Sequence, residues 1–428
     1  MQLPRMVKMA GLAMAIAMVP AAVATAQELH DRYLEIKKQY EKDHPGKTYT
    51  NLPTVKLFPN ATRVDPGLTA SDHMVKPLVQ LTDLINYYGH DAEAIALGEK
   101  LAADSRATPY DLAHVFAALG QAHLDEHDGA AGVEYIRKSL DENALSNNDQ
   151  YTLMRQLVDA QIDLGQPDAG LATLVRLVAE TREDRPEYDG LRGHMYYMKG
   201  DYTAAAQALQ KALDESSQAE PSWQQMLMDS CVQLRQYDRA AKVGETILHA
   251  HPDDPSAVMK LVAIYQQARQ VDKVQALLED AHRRGALTTA DGYEALYDLY
   301  SRTKGREGDG VALMNEGLQK GILQPSERVY VVLARGYESI HQPAQAIDAY
   351  AKADAAATDG EAALDLAELY SLQGRSVEAR AAAIRALQKG VIDPGWARVI
   401  ISRQDRSSSP EQGTANVDTS DWKPWDSH

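Results

Sequence analysis

The string in this 428-residue chain with the strongest claim on chemistry is His123-Leu124-Asp125-Glu126-His127. On a continuous helix, two histidines four residues apart share a face and can hold one zinc ion, while the glutamate between them activates the metal-bound water. No third ligand accompanies them in the sequence. Ser301-Arg302-Thr303-Lys304 has the S-x-x-K spacing of serine acyl transfer, but the companion S-D-N and K-T-G elements are missing. His249 and His251 are two residues apart, which sends their rings to different sides of a helix end beside Pro252. The chain has neither a G-x-x-x-x-G-K phosphate loop nor a G-x-S-x-G elbow. Cys231, the only cysteine, falls at a core position, where a buried thiol stays protonated and inert.

The elements that carry these residues are repetitive. From about Ser71 to Gly390 the chain aligns with itself at a spacing of roughly 34 residues, the period of a stacked two-helix unit. First helices read LRGHMYY from Leu191, MLMDSCV from Met226, KLVAIYQ from Lys260, VLARGYE from Val332 and DLAELYS from Asp365. A slim residue precedes a tyrosine by three positions in Gly193/Tyr196, Val262/Tyr265, Ala334/Tyr337 and Ala367/Tyr370, so each pair shares one helical face. The slim residue admits the second helix, and the ring fills the wedge towards the next unit with its hydroxyl at a polar edge. That demand explains 21 tyrosines against only Phe58 and Phe116.

Second helices repeat a small residue at Ala205, Ala240, Ala346 and Ala379, as helices about 8–10 Å apart require. Glycine ends the first helix at Gly165, Gly200 and Gly374, supplying a left-handed cap. Weaker copies cover Leu84 to Leu101, His114 to Leu140 and Leu153 to Leu177, and an irregular one from Tyr293 to Leu318 carries an enlarged Gly-rich turn over 304–310. About nine units result. In this frame His123 takes the tyrosine position and His127 the glycine position, so the predicted helix ends between the two rings.

Residues 1–26 read as a secretory leader: Arg5 and Lys8, an apolar run too short to span a bilayer, then Ala24-Thr25-Ala26. Residues 27–70 read as a helix over 27–41 followed by a Pro/Thr/Asn-rich linker. The solenoid occupies 71–402, and the polar 403–428 reads as a disordered tail in which Trp422 and Trp425 could anchor in a partner. The formal charge of −17 becomes −19 once the two leader cations, Arg5 and Lys8, are removed. Such an acidic chain is no candidate for nucleic acid, and no segment after the leader could form a transmembrane helix.

The Gly/Ala and Tyr pairs, with Pro252 closing its unit, resemble the tetratricopeptide repeat superfamily over about three quarters of the chain. The resemblance implies an all-α, right-handed superhelical solenoid that binds proteins without catalysis or cofactor. A narrower resemblance rests on segments such as Ala219 to Val243 and Leu277 to Tyr300, and on a glycine followed by an aliphatic pair. The triplets are Gly285-Ala286-Leu287, Gly321-Ile322-Leu323 and Gly390-Val391-Ile392. These segments resemble the periplasmic repeat protein associated with TonB, ExbB and ExbD, which implies a helper of energy transduction to outer-membrane receptors.

In stacked helix pairs the first helices line the concave groove. The register places Arg155, Asp159, Tyr197, Gln225, Asp229 and Gln266 on that surface, followed by Glu294, Asp298, Arg335, Glu338 and Glu368. It is mostly acidic and amide-rich, which suits an extended or helical basic segment of a protein partner. An assembly factor for envelope polysaccharide or outer-membrane proteins is the alternative within the binding class. A zinc peptidase using His123, Glu126 and His127 is the enzymatic one.

Overall fold

A computed structural model describes Lys42 and residues 56–86, 90–217 and 220–407. The leader over 1–26, the helix expected over 27–41, and Trp422 and Trp425 lie outside the described residues. Every regular element among the described residues is an α-helix. The chain divides between Val243 and Gly244 into two compact units.

In the first unit, helices pair along the chain as α1 Val75–Asn86 with α2 Asp91–Ala102, α3 Pro109–Asp125 with α4 Gly129–Asp141, and α5 Asn147–Asp163 with α6 Pro167–Thr181. Then come α7 Pro186–Met198 with α8 Tyr202–Glu215, then α9 Pro221–Gln233, followed in the chain by α10 Tyr237–Ala250, which crosses the division. The second unit holds α11 Pro255–Gln267 with α12 Val271–Arg284, α13 Ala290–Arg302 with α14 Glu307–Gln319, and α15 Glu327–Ser339 with α16 Pro343–Ala356. It closes with α17 Glu361–Leu372 paired to α18 Ser376–Lys389, and a single α19 Gly395–Ser407. The architecture is a series of helix-turn-helix repeats built from nineteen helices among the described residues, as the period predicted.

Among the described residues, seven of the turns from a first to a second helix are one device used repeatedly. A residue with positive φ follows the first helix: Gly165 (67°), Gly200 (73°) and Gly374 (71°), and also His127 (64°), Arg235 (57°), Arg269 (57°) and His341 (57°). The next amide then donates back across the turn, to the carbonyls of Tyr196, Tyr265, Tyr337 and Tyr370 in four units, and to those of His123 and Cys231 in two others. These bonds satisfy carbonyls that the helix end leaves open. They also place His123 and Cys231 in register with the tyrosines.

The notch residues behave as their sizes demand. A Cβ on Gly193 would lie 2.5 Å from Leu209 Cγ on the partner helix, so only glycine admits that approach. Ala205, Ala240, Ala346 and Ala379 are all buried at their crossings. The Gly-aliphatic triplets end second helices: Gly285, Gly321 and Gly390 have φ of 76°, 69° and 87°. After each, the next amide reaches back to the carbonyl of Ala281, Gly317 or Ala386, and Leu287, Leu323 and Val391 are buried. This is helix-stop chemistry with its hydrophobic contact.

One expected feature is corrected. The turn between α13 and α14 is short, from Thr303 to Arg306, because Gly308 and Gly310 belong to α14. Gly310 is a packing residue: its absent Cβ would stand 3.2 Å from the Tyr297 ring. Residues 56–70 lack regular structure, as their composition suggests, yet Phe58 is buried with Tyr151 in the first unit's core.

Candidate functional site

The histidine string does not form a one-faced metal site. α3 ends at Asp125, Glu126 is its cap, and His127 turns left-handed. The His123 ring stacks on Tyr135 with centroids 5.2 Å apart, and its Nδ1 lies 3.5 Å from Asp128. Among the described residues no three His, Cys, Asp or Glu side chains are grouped to hold a metal. Cys231 is fully buried and burial raises its thiol pKa, which keeps it protonated.

The eleven residues expected on the binding surface all lie on first helices, distributed over both units. In the first unit, Arg155 pairs with Asp159 one turn on, and the Gln225 amide donates to Asp229 at 2.9 Å. Tyr197 packs edge-on to Tyr202, and its hydroxyl pKa is raised by burial and by the Asp229 charge.

In the second unit, Gln266 is exposed, Glu294 accepts from Arg328 at 2.6 Å, and Asp298 stands 3.5 Å from Arg302. Three expected residues converge there. Arg335 and Glu338 on α15 and Glu368 on α17 form one cluster, completed by Asp365 and Tyr350, which the sequence did not single out. Arg335 lies 3.5 Å from Asp365, and the Tyr350 hydroxyl donates to Glu338 at 2.9 Å. Asp365 precedes Glu368 by three positions, so the same-face rule could have found it. Tyr350 comes from a second helix, and no spacing within a first helix points to it.

Three carboxylates against one guanidinium leave the cluster two charges negative. Burial, then the charges of Asp365 and Glu338, push the Glu368 carboxyl up to about 6. Burial raises Glu338 and Asp365 as well. A carboxyl whose folded-state pKa exceeds its unfolded value binds its proton more tightly when folded, so stability rises as pH falls through 6. Glu368→Gln is therefore expected to raise the melting temperature of the second unit at pH 8 and to change it little at pH 4.5. No change at pH 8 would show that the charge is not strained.

Two clefts lie over the tyrosines of the second unit. One of about 520 Å³ is floored by Leu261 and Tyr265, and one of about 330 Å³ by Leu333 and Tyr337. Their charges are engaged internally, Lys273 with Glu245 and Lys352 with Asp348. The Tyr265 hydroxyl donates to Glu245 at 2.6 Å, which is the polar edge the tyrosine pattern required.

Residues 196–257 match the family model of the tetratricopeptide repeat. No curated protein matches the chain. Among solved structures it is similar to a tetratricopeptide repeat protein from Parabacteroides merdae, at 15% identity over 57% of this chain and 93% of that one, with a TM-score of 0.36. The C-terminal part of a repeat-containing protein from Cytophaga hutchinsonii is 14% identical over 65% of this chain and 95% of its own, with a TM-score of 0.39. MamA from Desulfovibrio magneticus is 18% identical over 42% and 97%, with a TM-score of 0.35.

Proposed function

We propose that the chain is a non-enzymatic scaffold that binds a basic segment of a protein partner along the first helices of its second unit. The observation that carries this is the cluster of Glu338, Asp365 and Glu368 around the single cation Arg335. Half-buried carboxylates with unfavourable charge gain most when a lysine or arginine neutralises them, and their loss of hydration is already incurred in the free protein. The first helices of the first unit supply a second, more weakly charged surface through Asp159, Gln225 and Asp229.

Export by the leader over 1–26 would place this scaffold in the periplasm, and the resemblance of segments such as Ala219 to Val243 and Leu277 to Tyr300 favours a role beside a TonB-type energy-transducing complex. Crosslinking in intact cells followed by mass spectrometry tests this narrower reading. Recovery of TonB, ExbB or ExbD is expected. Recovery of polysaccharide or outer-membrane assembly machinery alone would move the scaffold to envelope assembly.

A further inference from the structure

Residues 57–65 make contacts that a linker does not need. The Leu57 amide donates to Asn148 Oδ1 at 2.9 Å, and the Thr62 amide and hydroxyl donate to the Glu180 carbonyl at 2.7 and 3.1 Å. Phe58 is 9% exposed, edge-on to Tyr151 at 5.2 Å, with the Arg185 guanidinium 5.6 Å from its ring centroid.

Arg63 is held more completely than any surface role requires. Its Nε and one Nη donate to Asn143 Oδ1 and Asn147 Oδ1 at 2.8 and 2.7 Å, and its other Nη donates to the carbonyls of Asn143 and Leu145 at 2.9 and 3.0 Å. In return Asn147 donates from its side chain to the Arg63 carbonyl and from its backbone to Asp65, both at 2.9 Å. All four acceptors around the guanidinium are neutral. They read its planar fork by geometry, which an ammonium cannot reproduce.

The receiving surface is built by the turn before α5, the start of α5, and the region from Glu180 to Tyr188, none of it contributed by residues 57–65. The segment closes a tight turn between its anchors, the Ala61 amide donating to the Phe58 carbonyl at 3.3 Å, and it meets the surface through backbone hydrogen bonds combined with two side-chain pockets, the means by which bound peptides are recognised. Val64 is 87% exposed and takes no part, and the stretch after Asp65 passes through Gly67 at φ 59° and the exposed Leu68 and Thr69 before α1 begins. The segment therefore meets the surface as a tethered ligand would.

We propose that this surface is a peptide-recognition slot, filled in cis by residues 57–65. Its partner in trans is a peptide that turns tightly after an aromatic side chain, as Phe58 to Ala61 does here, and carries arginine five positions beyond that side chain. The slot is separate from the acidic cluster and does not depend on that reading. Tethering gives the cis segment a high effective concentration, so a free peptide competes poorly until the anchors are removed.

The probe is a fluorescent peptide of residues 56–69, titrated into the full chain and into its Phe58→Ala/Arg63→Ala variant, with anisotropy as readout. The variant is expected to bind it at least tenfold more tightly than the wild type does, and a peptide with lysine in place of its arginine is expected to lose about tenfold. Equal binding to both proteins, or none to a variant that keeps wild-type helicity, would overturn the proposal. Should the variant fail to fold, a protease site inserted between Gly67 and Leu68 of the otherwise unaltered chain serves instead. Once cut, that chain is expected to take up the labelled peptide in exchange for its own segment, and no uptake would overturn the slot.

Discussion

Gly360→Ala is expected to destabilise the repeats around it by about 3 kcal/mol, the upper end for overpacking. Gly360 caps α17, is buried, and faces the end of α18, where an added Cβ would stand 2.1 Å from the Ala386 carbonyl oxygen and 2.9 Å from the Val391 nitrogen. Those are backbone atoms. The same carbonyl accepts the amides of Gly390 and Val391 that end α18, so it cannot retreat without breaking the helix stop. Gly308→Ala is the control: it is helical and has nothing within 4 Å of its would-be Cβ. Removing backbone freedom there is expected to stabilise by a few tenths of a kcal/mol up to about 1. Thermal unfolding and limited proteolysis of the two variants check both signs, and similar behaviour would mean that α17 and α18 are not packed as described.

The second large effect is on binding. Glu338→Lys/Glu368→Lys turns a cluster two charges negative into one two charges positive, and is expected to weaken a lysine- and arginine-rich peptide by about 100-fold or more, or roughly 3 kcal/mol. Affinity should also fall as pH drops from 7 to 5, because a Glu368 carboxyl that titrates near 6 loses the charge that holds the peptide. The wild type and the double variant should converge at high salt if the contacts are exposed. Equal affinity for the two proteins at low salt would remove the cluster from the binding surface.

The repeat was legible because its physics is local. A slim residue three before a tyrosine, an alanine on the second helix and a left-handed turn residue are each fixed within one hairpin, and Gly193, Ala205 and Gly200 do what their types require. The turn is legible where glycine fills it and, by register, at His127, whereas Arg235, Arg269 and His341 adopt the same φ and hide it. The glycines after Lys304 misled in the opposite direction, since Gly310 is needed for close approach to Tyr297 rather than for a turn.

The Gly-aliphatic triplets owe their regularity to helix termination, a demand shared by helix pairs in general, so they say little about a partner. What was hidden depends on distances between helices. Tyr350 reaches Glu338 from α16, a contact no spacing within α15 contains. Residues 57–65 have the composition of a linker because Pro, Thr and Asn exclude helix, but composition is silent on whether a non-helical segment docks. Phe58 was the available hint, one of only two phenylalanines in the chain.

The most direct test of the acidic binding surface is a photoreactive amino acid in place of Arg335, whose side chain is 66% exposed at the edge of the cluster, introduced in living cells. On illumination, an adduct is expected with a single protein partner through a segment rich in lysine and arginine, and Glu338→Lys/Glu368→Lys should abolish it. An adduct through an acidic or uncharged surface, or one that survives both reversals, would contradict the assignment of this cluster as the site that holds a basic segment.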